Sequence, residues 1–132
     1  MPKRSIYDTR FFVEYFYSSD RNLLEKLKED IRSTRERMVS AITLHEIYCI
    51  SLKKEGREVA ELRSETIRRD LQTLEVDHET AIRSAELRAK YRIPMADSII
   101  AAAAQIKKCP IVSDDPHFQM IENLKTRWPL KP

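Results

Sequence analysis

Short apolar runs alternate along this chain with longer stretches in which apolar residues recur every three or four positions. Ser5-Ile6-Tyr7 predicts a short buried strand, with Asp8-Thr9 directly after it. Phe11, Phe12, Tyr15 and Phe16 then follow helical spacing as far as Ser18-Ser19-Asp20, a turn and a new N-cap. Leu23, Leu24, Leu27 and Ile31 form the apolar face of an amphipathic helix predicted from Asp20 to Arg37. Met38 to Ile42 reads as a second strand, and a helix is predicted from Thr43 to Lys54, closed by Gly56. A charged helix from Glu58 to Leu71 leads to a third strand, Leu74-Glu75-Val76. A helix opening at Asp77 or Thr80 then runs to Tyr91. Pro110-Ile111-Val112 predicts a fourth strand, and Ser113-Asp114-Asp115-Pro116 turns into a short helix around Phe118 to Ile121. Lys125 to Trp128 is a candidate fifth strand. Strands alternating with helices predict a parallel sheet covered on both faces.

One stretch departs from the amphipathic rule. From Ile93 to Ile106 the chain is apolar on every side apart from its first turn and Gln105, so this helix belongs in the interior. Pro94 suits its first position, and Ala101 to Ala104 allow neighbouring elements to approach closely. Into this element the chain places a carboxylate, Asp97. A buried lone charge is costly unless a partner or a metal compensates it.

Composition narrows the classes. At 132 residues the chain fits one domain spanning its whole length. The only glycine is Gly56, which excludes glycine-rich phosphate loops of the Walker and dinucleotide-binding types. Lysines and arginines number 24 against 21 acids, a net charge of +3 that permits a nucleic-acid partner without demanding one. Cys49 and Cys109 lie in apolar sequence and read as small hydrophobes, so a reducing, cytoplasmic setting is expected. Neither a signal peptide nor a membrane-spanning run is recognised, and no membrane partner is expected.

The candidate chemistry lies in five acids: Asp8, Glu46, Asp97, Asp114 and Asp115. All fall near predicted helix starts, where carboxylates commonly cap N–H groups and favour the dipole. Thr43 to Glu46 matches a capping box, and Asp115-Pro116 matches an N-cap with proline at the next position. Two features favour a site over five separate caps. Asp8, Glu46 and Asp114/Asp115 each follow a strand within about one turn, and parallel sheets bind ligands beyond the carboxyl ends of their strands. Glu46 and Asp97 also sit in apolar sequence. Carboxylates converging in a cleft repel one another unless a hard cation lies between them, and Mg²⁺ or Mn²⁺ takes such oxygen ligands. A site of this kind polarises a phosphodiester and activates water.

These residues resemble the PIN-domain ribonucleases, above all the VapC-type toxins of prokaryotic toxin–antitoxin pairs and their archaeal relatives. The likeness spans the chain and rests on four pieces in order: Ile6-Tyr7-Asp8-Thr9, Thr43-Leu44-His45-Glu46-Ile47, Ala96-Asp97-Ser98-Ile99-Ile100-Ala101-Ala102, and Val112-Ser113-Asp114-Asp115-Pro116-His117-Phe118. The resemblance implies a three-layer α/β/α sandwich with a Rossmann-like parallel sheet of four or five strands. It implies Mg²⁺- or Mn²⁺-dependent cleavage of single-stranded RNA, a homodimer and a neutralising antitoxin peptide. Carried over, the acidic quartet is Asp8, Glu46, Asp97 and Asp115. Asp8 and Asp97 hold the metal, with Asp115, or Asp114 beside it, as a further ligand. Glu46 binds through water or helps activate the nucleophile. Ser113 matches a hydroxyl that orients an acid or a water, and Thr9 is a second supporting hydroxyl.

Arg10 and His117 are weaker candidates for substrate contact, and an arginine at that turn is as readily read as a solvated side chain. His45 and His117 also invite a histidine-based mechanism or a zinc site. His45 has no second histidine at metal-ligand spacing. The aromatics Phe11 to Tyr17 are read first as core and otherwise as an apolar groove for a second subunit or an antitoxin helix. A different class, a non-catalytic binding module whose acids only cap helices, stays open. So does a nuclease acting on DNA or in RNA processing without an antitoxin.

Overall fold

The computed structural model describes residues 4–129. In chain order the elements are β1 (Arg4–Tyr7), α1 (Thr9–Tyr17), α2 (Arg21–Ser33), β2 (Glu36–Ser40), α3 (Ala41–Glu55) and α4 (Arg57–Asp70). There follow β3 (Gln72–Leu74), α5 (His78–Tyr91), α6 (Met95–Lys107), β4 (Ile111–Val112), a 3-10 turn (Pro116–Met120) and β5 (Thr126–Arg127). The five strands form one sheet in the order β3-β2-β1-β4-β5, and every pairing is parallel.

Period-two alternation divides the strand side chains between two cores. Ile6, Met38, Leu74 and Ile111 face a core shared with Leu87 of α5 and the buried side of α6. Tyr7, Val39 and Val112 face the other core, with Phe11, Phe12, Leu27, Ile47, Ile67 and Trp128. Helices therefore cover both faces, giving a three-layer α/β/α sandwich. Their coverings differ. On the α6 side, Ile100 and Ala101 to Ala104 are all buried, and small side chains seat the helix tightly on the sheet. The other side is aromatic, with Tyr7 and Phe11 rings 4.6 Å apart in edge-to-face geometry. Phe11 and Phe12 are core, and Tyr15 and Phe16 pack against it partly buried.

Four local expectations shift. The second strand ends at Ser40, whose hydroxyl accepts from the N–H of Ile42 at 3.3 Å and caps α3. Thr43 is consequently the third residue inside the helix and fully buried, so the predicted capping box between Thr43 and Glu46 does not form. The helix predicted to Arg37 stops at Ser33, where Asp30 and Thr34 make other bonds. The third strand is Gln72–Leu74 because Leu74 pairs opposite Ser40, which leaves Glu75 and Val76 exposed. Pro94 is the N-cap of α6 and not its first helical residue.

The topology sets the site. From β1 the sheet grows through β2 to β3, and the chain then crosses back to add β4 and β5 on the other side of β1. The strand order reverses between β1 and β4, the place where open parallel sheets form a crevice. Asp8 follows β1 directly and Ser113 follows β4 directly.

Candidate active site

Asp8 occupies the N-cap position of α1, yet its side chain makes no capping hydrogen bond. It is almost fully buried, and its Oδ2 accepts from the Ser113 hydroxyl at 2.6 Å. No salt bridge reaches it among the described residues. Burial, chiefly, pushes the Asp8 carboxyl up to about 6, against the Ser113 and Thr9 hydrogen bonds, with the charges of Asp97 and Asp115 adding to the rise. The capping explanation of Asp8 therefore fails on geometry.

Asp97 stands in the first turn of α6. Its carboxyl is also raised, first by burial and then by the charge of Asp115, with Glu46 contributing, while His117 opposes the shift. Asp115 caps the 3-10 turn by accepting from the His117 N–H at 2.9 Å, as Asp-Pro predicts, and its own N–H donates to Ser113 Oγ at 3.0 Å. Capping is thus compatible with membership of the cluster. The His117 ring closes it. Its Nδ1 lies 2.8 Å from Asp97 Oδ2 and 3.1 Å from Asp115 Oδ1. The ring nitrogen thus bridges the two carboxyl groups.

Glu46 lies well inside α3, beyond any capping position. Thr9 at the start of α1 donates to its Oε1 at 2.5 Å, and the same hydroxyl lies 3.2 Å from Thr43 Oγ1. The four acids Asp8, Glu46, Asp97 and Asp115 are thereby gathered at one edge of the sheet, from four separate elements. Asp114 is turned away from them. Its carboxylate accepts from Arg10 Nε at 2.6 Å and is partly exposed. Arg10 is half-exposed, and its field reaches Asp8 and Asp115 even though its guanidinium is bound to Asp114. His45 is exposed on α3.

The donor set suits a hard divalent cation. Ligand atoms of Asp97, Asp115 and His117 lie within 4.8 Å of one another. Asp8 adds a buried carboxylate without a compensating cation, and the set is dominated by oxygen. The sequence presents His117 as a histidine close to the acid turn, open to substrate contact or histidine chemistry. Its place between two acids had no signal in the sequence, because it depends on how the 3-10 turn packs on α6. A further polar group lies apart from the acids. Tyr7, Asp30, Thr34 and Arg127 form a polar cluster on the opposite face of β1, where Tyr7 Oη donates to Asp30 Oδ1 at 2.7 Å. Helical spacing gave one faint signal, since Asp30 and Thr34 flank the stripe of Leu27 and Ile31.

The α/β/α sandwich gathers carboxylates beyond the carboxyl ends of its central parallel strands, where open α/β sheets bind ligands. A model of the PIN domain family matches residues 6–124, and the chain belongs to that family. Several solved structures share the fold. A toxin–antitoxin complex from Klebsiella pneumoniae is 22% identical, with a TM-score of 0.75 over 97% of this chain and 99% of that one. VapBC2 from Rickettsia felis, bound to a DNA fragment from its promoter, is 18% identical, with a TM-score of 0.77 over 93% and 96%. VapC20 from Mycobacterium tuberculosis, a toxin that cleaves the sarcin–ricin loop, is 17% identical, with a TM-score of 0.74 over 88% and 93%. At these identities the likeness concerns the fold. No curated protein matches the sequence significantly. Among the described residues no helix is long and apolar enough to cross a membrane.

Proposed function

We propose that this chain is a Mg²⁺- or Mn²⁺-dependent endoribonuclease acting on single-stranded RNA, the toxin of a toxin–antitoxin pair. The observation that carries the reading is Asp8: a buried carboxylate with no salt-bridge partner among the described residues, in electrostatic reach of Asp97 and Asp115. The ionised acids repel one another, and a cation among them would relieve that repulsion. Asp8, Asp97 and Asp115 would hold it. When bound, the cation supplies charge to a phosphodiester and lowers the pKa of an attacking water.

The chain's own residues do the rest. Ser113 fixes Asp8 through its hydroxyl and Asp115 through its backbone N–H, so one side chain sets the spacing of two acids. Thr9 holds Glu46, leaving the second carboxylate oxygen to orient a water and accept its proton. His117 presents a proton donor at the rim, and half-exposed Arg10 offers a charge to the RNA backbone when it leaves Asp114. Toxin–antitoxin neighbours support an antitoxin peptide as partner. A homodimer and a cytoplasmic setting belong to the same reading.

The test is cleavage of end-labelled single-stranded RNA by purified protein in Mn²⁺, Mg²⁺ or EDTA, beside Asp97→Asn. Cutting that requires both metal and Asp97 is the expected result. Cutting that persists in EDTA or in Asp97→Asn would reject the site. Metal binding without RNA cleavage would turn attention to DNA, and absence of both would favour a binding module.

A further inference from the structure

The strand that holds Ser113 is too short to hold itself. β5 contributes two residues, Thr126 and Arg127, paired with the two residues of β4 at the edge of the sheet. So small a ladder is marginal alone. Yet the Arg127 carbonyl accepts from the Ser113 N–H at 3.0 Å, and Ser113 in turn donates to Asp8. The Asp8 N–H donates to the carbonyl of Val112, one residue before Ser113, at 3.2 Å. The placement of a principal acid therefore depends on an edge strand that needs outside support.

That support comes from side chains. The Arg127 guanidinium binds both carboxylate oxygens of Asp30, with Nη2 at 3.0 Å from Oδ1, and donates to Ser5 Oγ at 2.9 Å. Asp30 belongs to α2 and Ser5 to β1, so one cation ties the edge strand to a helix and to the central strand. Tyr7, the residue before Asp8, donates to the same Asp30 carboxylate at 2.7 Å and lies 2.8 Å from Thr34 Oγ1. Asp30 is largely buried, and Arg127 is about one-quarter exposed. Two routes thus converge on Asp8 from one ion pair: through the backbone from Tyr7, and through Arg127 and Ser113.

We propose that the Asp30–Arg127 pair is a positioning device for Asp8, with Arg127 a positioning residue for the candidate metal centre through Ser113. The inference rests on the nuclease reading for its functional meaning. Its structural half is testable in metal-free protein. The two-oxygen grip of a guanidinium on a carboxylate fixes direction as well as distance, and Asp8 needs that direction because metal sites tolerate little displacement of their ligands.

The experiment compares wild-type protein with Arg127→Met, which keeps the apolar stem, and Tyr7→Phe, which removes only the second arm. Arg63→Met serves as control. Arg63 forms a comparable clasp elsewhere, with Glu55 and Tyr17, and has no hydrogen-bonded route to Asp8. Amide hydrogen exchange of the metal-free proteins is read residue by residue, and Mn²⁺ affinity is measured by calorimetry. In Arg127→Met the amides of Ser113 and Asp8 should exchange on the order of 10-fold faster, with Ala102 in α6 unchanged. Mn²⁺ should bind about 10-fold more weakly. Tyr7→Phe should move both readouts in the same direction by less, and covers the case in which Arg127→Met fails to fold. Arg63→Met should leave both where they are.

Equal acceleration at Ser113, Asp8 and Ala102 would make the pair a general staple and overturn the proposal. So would unchanged exchange at Ser113, or an equal loss of Mn²⁺ affinity in Arg63→Met. If wild-type protein binds no Mn²⁺, the nuclease reading fails, and the exchange data still decide whether Arg127 positions Asp8.

Discussion

A buried carboxylate, Asp8, and a largely buried one, Asp30, lie on either side of Tyr7, and they are treated in opposite ways. Asp30 is held by a guanidinium and a phenol that satisfy it within the protein. Asp8 is more deeply buried and accepts from the Ser113 hydroxyl but has no salt bridge among the described residues, with two further acids in electrostatic reach. The first arrangement is complete, and in the proposed reading the second is completed by a cation from outside. A buried acid with its own counter-charge reads as structure. One without it, facing other acids at a sheet's switch point, reads as a site.

The sharpest break of this contrast is neutralisation of the site acids. Asp8→Asn and Asp97→Asn are each expected to lower metal-dependent RNA cleavage by more than about 100-fold, since even supporting groups around metals count for 10–100-fold. Circular dichroism should show the fold retained. Wild-type rates in either variant would remove that residue from the site.

Next in size is the dependence of stability on pH. Asp8 moves from an ordinary 3.8 to about 6 on folding. The folded state therefore binds the proton more tightly, and the Asp8 contribution to stability is fully present below about pH 4, is lost as pH rises through the interval to about 6, and stays absent above it. The fall attributable to Asp8 is ~3 kcal/mol. Asp97 is raised too and acts in the same sense. Denaturant unfolding of metal-free protein at pH 4 and pH 7 should show this slope, and Asp8→Asn should flatten it. A steeper slope in the variant would refute the assignment. Mn²⁺ should restore stability at pH 7 and do little at pH 4, because it competes with the proton.

Asp30→Asn should behave differently. It leaves Arg127 without its counter-charge and should cost roughly 1–3 kcal/mol, with the loss persisting at pH 7 in the presence of Mn²⁺. Thermal unfolding with and without metal separates the two carboxylates. Full recovery of Asp30→Asn by Mn²⁺ would erase the distinction. The smallest effect is expected at Asp114. Its bond to half-exposed Arg10 is a surface pair of less than about 1 kcal/mol, so Asp114→Asn should leave Mn²⁺ affinity unchanged where Asp115→Asn weakens it. Equal effects from the two would blur the choice between these neighbours.

Much of this was legible in the residues. Alternation of short apolar runs with helical stripes predicted the parallel sheet, and the alanine run predicted a helix packed tightly into the core. Local chemistry misled where side chains competed. Thr43 and Glu46 satisfy a capping-box pattern, but Ser40 takes the cap, so Thr43 turns inward and its hydroxyl meets Thr9. That competition is decided by the register of β2 against β1 and β3, a non-local property.

The sequence by itself determined the element types, the five acids and the absence of a glycine phosphate loop, because these follow from periodicity and residue chemistry near in the chain. Tertiary structure decided which acids converge. Asp114 and Asp115 are neighbours with the same side chain, and only the turn after β4 sends one to Arg10 and the other toward Asp97 and His117. It also decided that Asp30 and Arg127, 97 residues apart, form one ion pair behind Asp8. Such contacts join elements through the order of strands in the sheet, and no local pattern encodes that order.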